Sequence, residues 1–172
     1  LDEAYRDFAD DPEYPDGVAL LTRFPRLIVL RTFPKIAGLA GLRVGFAVAA
    51  KDTIERLNRV RAPYNVNRLG QVAALAALED AEHLERTRRV VIEERAFLAR
   101  ELGARGYTFP PSQANFLLVR VPDAPGVRER LLRGGLIVRD GAAVGFPGHL
   151  RISIGLRPAN ERVLALLERG GL

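Results

Sequence analysis

The sequence predicts an α/β protein, because short apolar runs of strand length alternate with longer stretches of helical periodicity. Residues 27–30 and 44–49 are the first such runs, and we expect a buried strand in each, the second buried on both faces. Between residues 68 and 102, apolar side chains recur every three, four or seven positions opposite a charged face. That stretch is longer than an average globular helix, so we expect a break near Asp80.

Proline, glycine and capping residues divide the first third of the chain. Residues 10–17 contain two prolines and predict a loop, and residues 18–24 predict a short helix. A further helix is expected to begin at 51–53, with Asp52 or Thr53 as its cap. It should end before Pro63, because the residue preceding proline disfavours helical angles. Asn67 is then the predicted cap of the long helical region.

The last third of the chain predicts a smaller set of strands and helices. Residues 115–121, 136–140 and 150–155 are expected to be strands, the last of them central in its sheet. Residues 127–133 form an amphipathic pattern that ends at Gly134, and Pro158 lies near the start of a final helix over 162–169.

Composition excludes several classes of function. The 172 residues are 48% hydrophobic, so the chain can bury a core, and no apolar run is long enough to cross a bilayer. There is no cysteine, and His83 and His149 lie far apart, so we predict neither disulfides nor a metal site. The net charge of +5 comes without a basic block, which favours anionic small molecules over nucleic acid. A cytoplasmic location is the expectation.

One lysine lies among small and apolar residues between the first two predicted strands. Apolar neighbours remove water from Lys35, which favours the neutral amine needed for Schiff-base chemistry with an aldehyde. Thr32 and Arg43 offer a hydroxyl and a guanidinium suited to a phosphate, and Gly38 and Gly41 permit close approach of the backbone. From spacing alone, an ordinary loop with a solvated lysine and arginine remains an alternative.

The residues themselves resemble a known motif. The stretch 31–45, Arg-Thr-Phe-x-Lys-x-x-Gly-Leu-Ala-Gly-Leu-Arg-Val-Gly, resembles the pyridoxal-phosphate lysine motif of fold-type I aminotransferases, especially the histidinol-phosphate aminotransferase family. Asp-Glu-Ala-Tyr-x-x-Phe at 2–8 and Arg-x-Pro-Tyr-Asn-Val-Asn at 61–67 resemble further family segments. The resemblance implies the C-terminal part of a large domain with a mostly parallel sheet (1–62), a long interdomain helix region (63–102) and a small α+β domain (103–172).

The resemblance also implies roles for five residues around pyridoxal phosphate. Lys35 would bind the cofactor covalently and then act as general base and acid. Asp2 would pair with the pyridine nitrogen, and Tyr5 would hydrogen-bond the ring oxygen. Thr32 and Arg43 would hold the phosphate.

Two arginines would bind substrate if the resemblance holds. Arg151 lies inside an apolar strand, where burial without an anionic partner is costly. The alternative is a structural ion pair or an edge position. In aminotransferases the arginine at the matching place holds the substrate carboxylate, and Arg139 resembles a second arginine that faces the substrate. The implied reaction is amino transfer between histidinol phosphate and 2-oxoglutarate in histidine biosynthesis, by a homodimer.

The resemblance fails at two places. Pro34 stands where the family typically has a serine that helps to bind the phosphate. The chain also begins in the middle of the family pattern, so we expect a fragment that lacks the N-terminal half. Alternatives are therefore an aromatic aminotransferase, a threonine-phosphate decarboxylase relative, or a catalytically inactive fragment that binds the cofactor weakly and exposes sheet edge.

Overall fold

The computed structural model describes residues 1–168, which form two compact units, Leu1–Arg88 and a second that begins at Arg89. The α/β class is confirmed. The first unit contains β1 (Ile28–Thr32), β2 (Gly45–Ala49), α1 (Lys51–Val60), α2 (Arg68–Glu79) and the start of α3 (Ala81–Ala104). The second contains the rest of α3, then β3 (Phe116–Arg120), α4 (Ala124–Arg133), β4 (Arg139–Asp140), β5 (His149–Ser153) and α5 (Arg157–Glu168).

The strands of the first unit pair differently from the expected mostly parallel sheet. β1 and β2 are antiparallel, in a register that runs from Ile28 opposite Ala49 to Thr32 opposite Gly45. Among residues 1–168, the parallel pairing is limited to an isolated bridge between Asp2 and Leu30. Parallel neighbours need a crossover connection, whereas the loop after β1 returns the chain directly alongside it.

The expected burial of β2 on both faces is wrong. Val29 is fully buried and Val44 nearly so, but Leu30 is 47% and Phe46 44% exposed. Successive side chains of a strand point to opposite faces, so a strand is buried on both only when both faces of its sheet are covered. By the register of the pair, Leu30 and Phe46 point to opposite faces, so within the described part of the first unit each face of this two-stranded sheet is partly exposed.

The helical region breaks as predicted, with Asp80 separating α2 from α3. Asn67 caps α2 as expected, since its Oδ1 accepts a hydrogen bond from the Gly70 N–H at 2.8 Å. The predicted cap of α1 is wrong, because the helix begins at Lys51 and Ala50 occupies the cap position without a side-chain bond. The buried residues of α2 are Gly70 and Ala74. Four larger apolar side chains of α2 are more than half exposed: Leu69, Val72, Leu75 and Leu78.

The second unit packs helices on a three-stranded antiparallel sheet of order β3-β5-β4, so β5 is central as predicted. Its core is formed by apolar side chains from α3, α4, α5 and the strands, including Leu98, Leu131 and Ile152. β4 has only two residues, fewer than the predicted 136–140. α5 starts at Arg157, and the predicted end at Arg169 lies outside the described residues.

The boundary between the two units falls inside α3, within the predicted interdomain helix region. The predicted domain limits at 62 and 102 stay a prediction. Among residues 1–168, no helix is long and apolar enough to cross a membrane. The same residues hold no cluster of three or more acidic, histidine or cysteine side chains suited to a metal ion.

Candidate active site

Backbone hydrogen bonds hold the first residues of the chain beside β1. The Glu3 N–H donates to the Leu30 carbonyl at 2.9 Å, and the Leu30 N–H donates to the Leu1 carbonyl at 2.9 Å. Asp2 Oδ1 accepts a hydrogen bond from the Ala4 N–H at 3.0 Å, which fixes a turn toward Tyr5. The segment that carries Asp2 and Tyr5 is therefore a direct neighbour of β1.

A cavity of about 370 Å³ opens at the end of β1. Its size falls within the range of small-molecule sites. All five residues predicted to bind the cofactor line it: Asp2, Tyr5, Thr32, Lys35 and Arg43. The other lining residues are Ala4, Leu30, Arg31 and Pro34. The structure thus brings an amine, a carboxylate, a phenol, a hydroxyl and a guanidinium to one concave surface.

Lys35 is half-buried, and its amine faces an aromatic ring. Its Nζ lies 5.4 Å from the centroid of the Tyr5 ring, which is within the range of a cation–π contact. That contact orients the amine toward the residue predicted to meet the ring oxygen of the cofactor.

Arg43 has a strained backbone. It follows the 3-10 helix Ala40–Leu42 and adopts the left-handed conformation, with φ 54° and ψ 51°. Left-handed angles cost a residue with a side chain about 1–2 kcal/mol. Its Nη1 donates to the Ala40 carbonyl at 3.2 Å. Strain of this kind persists where surrounding contacts impose it, often at binding sites.

Asn67 makes a long-range contact with this strained loop. Its Nδ2 donates to the Leu42 carbonyl at 2.9 Å, while its Oδ1 caps α2. Gly70 approaches the same carbonyl so closely that an added Cβ would lie 3.2 Å from it. The start of α2 is therefore packed against the peptide that precedes Arg43.

Glu3 is a residue of the site that the sequence reasoning missed. It is 3% exposed, and its Oε1 accepts from the Gly17 N–H at 2.9 Å. Its Oε2 accepts from Arg31 Nε at 2.9 Å, and Arg6 lies 3.7 Å away. The available signal was its place in the sequence, because Glu3 directly follows Asp2, which lines the cavity.

The two predicted substrate arginines lie together in the second unit. Arg139 on β4 is directly opposite Arg151 on β5, and both line a cavity of about 340 Å³ with Ile137, Val138 and Ser153. The Arg151 guanidinium stacks 4.0 Å from the centroid of the Phe116 ring. Like charges directly opposite on neighbouring strands repel, so an anion bound between them would be stabilising.

A buried carboxylate anchors the end of β5. Glu94 accepts a bifurcated hydrogen bond from Arg157 Nε, at 3.0 and 3.1 Å to its two oxygens, and another from Asn160 Nδ2 at 2.8 Å. The Asn160 amide also bonds both the N–H and the carbonyl of Gly155. The hydrogen bond from Arg157 lowers the pKa of Glu94, burial opposes that shift, and Asn160 adds to the lowering. This network holds Gly155 in place just after β5, the strand that carries Arg151.

The comparison with protein families decides the family. The profile of the aminotransferase class I and II family matches residues 1–166. The chain belongs to this family. Within it, the Anaeromyxobacter sp. (strain Fw109-5) protein named histidinol-phosphate aminotransferase is 48% identical over 171 residues, covering 98% of this chain and 47% of the relative. The Brevibacillus brevis protein of the same name is 45% identical over 169 residues, covering 98% and 46%.

Solved structures of proteins named as aminotransferases match the fold of this chain. The histidinol-phosphate aminotransferase of Sinorhizobium meliloti, solved in complex with pyridoxal-5'-phosphate, matches this chain with a TM-score of 0.87 and 28% identity, covering 98% of this chain and 47% of that one. The Clostridium acetobutylicum enzyme matches with a TM-score of 0.88 at 23% identity, covering 98% and 52%, and shows the fold alone. This aminotransferase-family chain spans about half the length of the relatives it matches.

Proposed function

We propose that this chain carries the lysine-bearing part of a pyridoxal-phosphate-dependent aminotransferase, with Lys35 as the catalytic residue. One observation carries the proposal: Lys35 shares a single cavity with the carboxylate of Asp2 and the guanidinium of Arg43. When bound, pyridoxal phosphate supplies an aldehyde that condenses with amines and a ring that withdraws electrons. The donor set of the cavity fits that group, with an amine for the aldehyde and a cation for the phosphate.

The five cavity residues predicted to bind the cofactor have the following roles in this proposal. The Asp2 carboxylate holds the proton on the pyridine nitrogen, and the Tyr5 hydroxyl bonds the ring oxygen. Thr32 and Arg43 bind the phosphate through a hydroxyl and a charge-assisted contact. The Lys35 amine accepts the proton from the α-carbon of the substrate and returns it during amino transfer.

Pro34 weakens this site. It lines the cavity but has neither a hydroxyl nor an N–H to offer a phosphate. Losing one charge-assisted hydrogen bond costs about 1.5–3 kcal/mol, or roughly one to two powers of ten in affinity. The remaining phosphate ligands are Thr32 and Arg43, so we expect weaker binding than in a family member with serine.

The proposed substrates are histidinol phosphate and 2-oxoglutarate, in histidine biosynthesis. The relatives that support this assignment carry the name histidinol-phosphate aminotransferase. Arg139 and Arg151 line one cavity, and their paired guanidinium groups suit a carboxylate or a phosphate ester. Arg151 stacks on Phe116, which limits the freedom its side chain would lose on binding.

Amino transfer is tested by incubating the chain with pyridoxal phosphate, histidinol phosphate and 2-oxoglutarate and measuring glutamate. We expect glutamate to form only with the cofactor, and K35A to abolish it. K51A is the matched control, because Lys51 is the only other lysine of the chain and its side chain is 92% exposed. Equal rates in K35A and in the unmodified chain would overturn the proposal.

The same assay separates the alternatives. Faster glutamate formation from phenylalanine or tyrosine than from histidinol phosphate would favour an aromatic aminotransferase. Release of carbon dioxide from O-phosphothreonine would favour a decarboxylase. Cofactor bound at Lys35 without any turnover would favour an inactive fragment.

The assembly and location of the protein remain predictions. The exposed apolar side chains of α2 support a homodimer, because such surfaces are usually covered in an assembly. Sedimentation analysis at several concentrations tests this, and a monomer at all of them would contradict it. A cytoplasmic location stays an expectation that fractionation of cells would check.

A further inference from the structure

The side-chain amide of Asn67 makes two contacts with opposite hydrogen-bonding character. Its Oδ1 accepts from the Gly70 N–H at 2.8 Å and caps α2. Its Nδ2 donates to the Leu42 carbonyl at 2.9 Å, which lies 25 residues earlier in the chain. Only the first contact is needed to cap a helix, since serine or aspartate caps equally well with an acceptor alone.

The second contact acts on the strained residue of the cofactor cavity. The Leu42 carbonyl and the Arg43 N–H belong to one planar peptide group, so holding the carbonyl restricts rotation at Arg43. Arg43 has φ 54°, an angle that a residue with a side chain adopts only when its surroundings impose it. Gly70 lets the backbone of α2 approach this carbonyl, because a Cβ there would lie 3.2 Å from the oxygen.

We propose that Asn67 is a positioning residue, which holds the Leu42–Arg43 peptide so that the Arg43 guanidinium faces a phosphate in the cavity. This inference rests on the proposed function for the identity of the phosphate ligand. Asn67 does not line the cavity and acts only through Arg43. Its effect should therefore be confined to the phosphate group of the cofactor.

Two substitutions remove the contact with the Leu42 carbonyl but keep the cap. N67D retains an acceptor for the Gly70 N–H, but it has no proton for the Leu42 carbonyl. N67S retains the cap without adding charge, but its side chain is shorter. The matched control is N65D, which adds the same charge two residues away in the same loop. Asn65 Oδ1 accepts from Arg61 Nη1 at 2.8 Å, and aspartate preserves that bond.

The decisive readout compares pyridoxal phosphate with pyridoxal, which lacks the phosphate. Losing one hydrogen bond predicts that N67D and N67S bind pyridoxal phosphate about three- to ten-fold more weakly. Their affinity for pyridoxal should match that of the unmodified chain. N65D should leave both affinities unchanged. If Asn67 had a purely structural role, the variants would instead bind both pyridoxal phosphate and pyridoxal more weakly. That result would overturn the inference.

Amide hydrogen exchange of residues 40–44 tests the inference independently of the proposed function, because it needs no ligand. We expect faster exchange there in N67D and N67S, with unchanged exchange in the body of α2. If the unmodified chain does not prefer pyridoxal phosphate over pyridoxal, the proposed phosphate site fails, and exchange alone decides whether Asn67 holds this peptide. Unchanged exchange in both variants would overturn the inference.

Discussion

Arg31 Nε donates to the Glu3 carboxylate at 2.9 Å, joining β1 to the segment before a short 3-10 helix, Arg6–Phe8. Arg31 lines the cavity, and Glu3 directly follows Asp2, which also lines it. A second arginine and the Gly17 N–H complete the surroundings of the carboxylate. The contact fixes how the Asp2–Tyr5 segment lies relative to the loop of Lys35.

Neutralising the Glu3 carboxylate should destabilise the first unit. E3Q keeps an acceptor for Gly17 but leaves the cation of Arg31 without its buried partner. We expect the free energy of unfolding to fall by about 1–3 kcal/mol in urea denaturation. E13Q is the control, because Glu13 is exposed and its loss should change stability by less than about 0.5 kcal/mol. Equal stabilities of the two variants would contradict the account.

Two substitutions of Arg43 should distinguish its backbone strain from its binding of the cofactor phosphate. R43G removes the guanidinium but relieves the left-handed backbone, whereas R43A removes the guanidinium and keeps the strain. We expect R43G to be more stable than R43A by about 0.5–1 kcal/mol in thermal or urea unfolding. Both should bind pyridoxal phosphate roughly ten- to a hundred-fold more weakly. Equal stability of the two variants would mean that the strain is absent.

Restoring a hydroxyl at position 34 should strengthen the phosphate site. P34S adds the donor that the family typically has, so we expect affinity for pyridoxal phosphate to rise by roughly ten-fold or more in an absorbance titration. P34A removes the ring without adding a donor and serves as the control. Identical affinities of P34S and P34A would show that position 34 does not contact the phosphate.

Stability should depend on pH through Glu94. The hydrogen bonds from Arg157 and Asn160 hold the pKa of Glu94 below its ordinary value of 4.5. A lowered folded-state pKa adds stability above the unfolded pKa, and that stability is lost as pH falls through the folded pKa. We therefore expect the stability advantage of the unmodified chain over E94Q to shrink below about pH 4.5. An advantage that is constant from pH 3 to 7 would contradict this prediction.

The sequence predicted the elements that local signals determine. Asn67 as a cap and Asp80 as a break follow from short-range hydrogen bonding and backbone preference, and both were found. The five cavity residues were predicted from two segments that resemble the family, 2–8 and 31–45, and they line one cavity. Their roles remain a prediction.

Other features depend on contacts between distant segments, which periodicity does not encode. The exposure of Leu30 on one face of the sheet and of Phe46 on the other depends on whether further layers cover those faces, not on the strands themselves. The bond from Asn67 to Leu42 and the Glu3–Arg31 pair each join segments at least 25 residues apart. The left-handed φ of Arg43 could not be predicted, because the residue types that usually adopt it are glycine and asparagine.

The most direct test of the account is to treat the chain with pyridoxal phosphate, reduce it with borohydride and locate the adduct by peptide mass spectrometry. The chain has only two lysines, so Lys51, exposed on α1, is an internal control. We predict that the adduct forms on Lys35 in preference to Lys51, and that R43A reduces labelling of Lys35 alone. Equal labelling of the two lysines, or labelling of Lys51 only, would contradict the central claim.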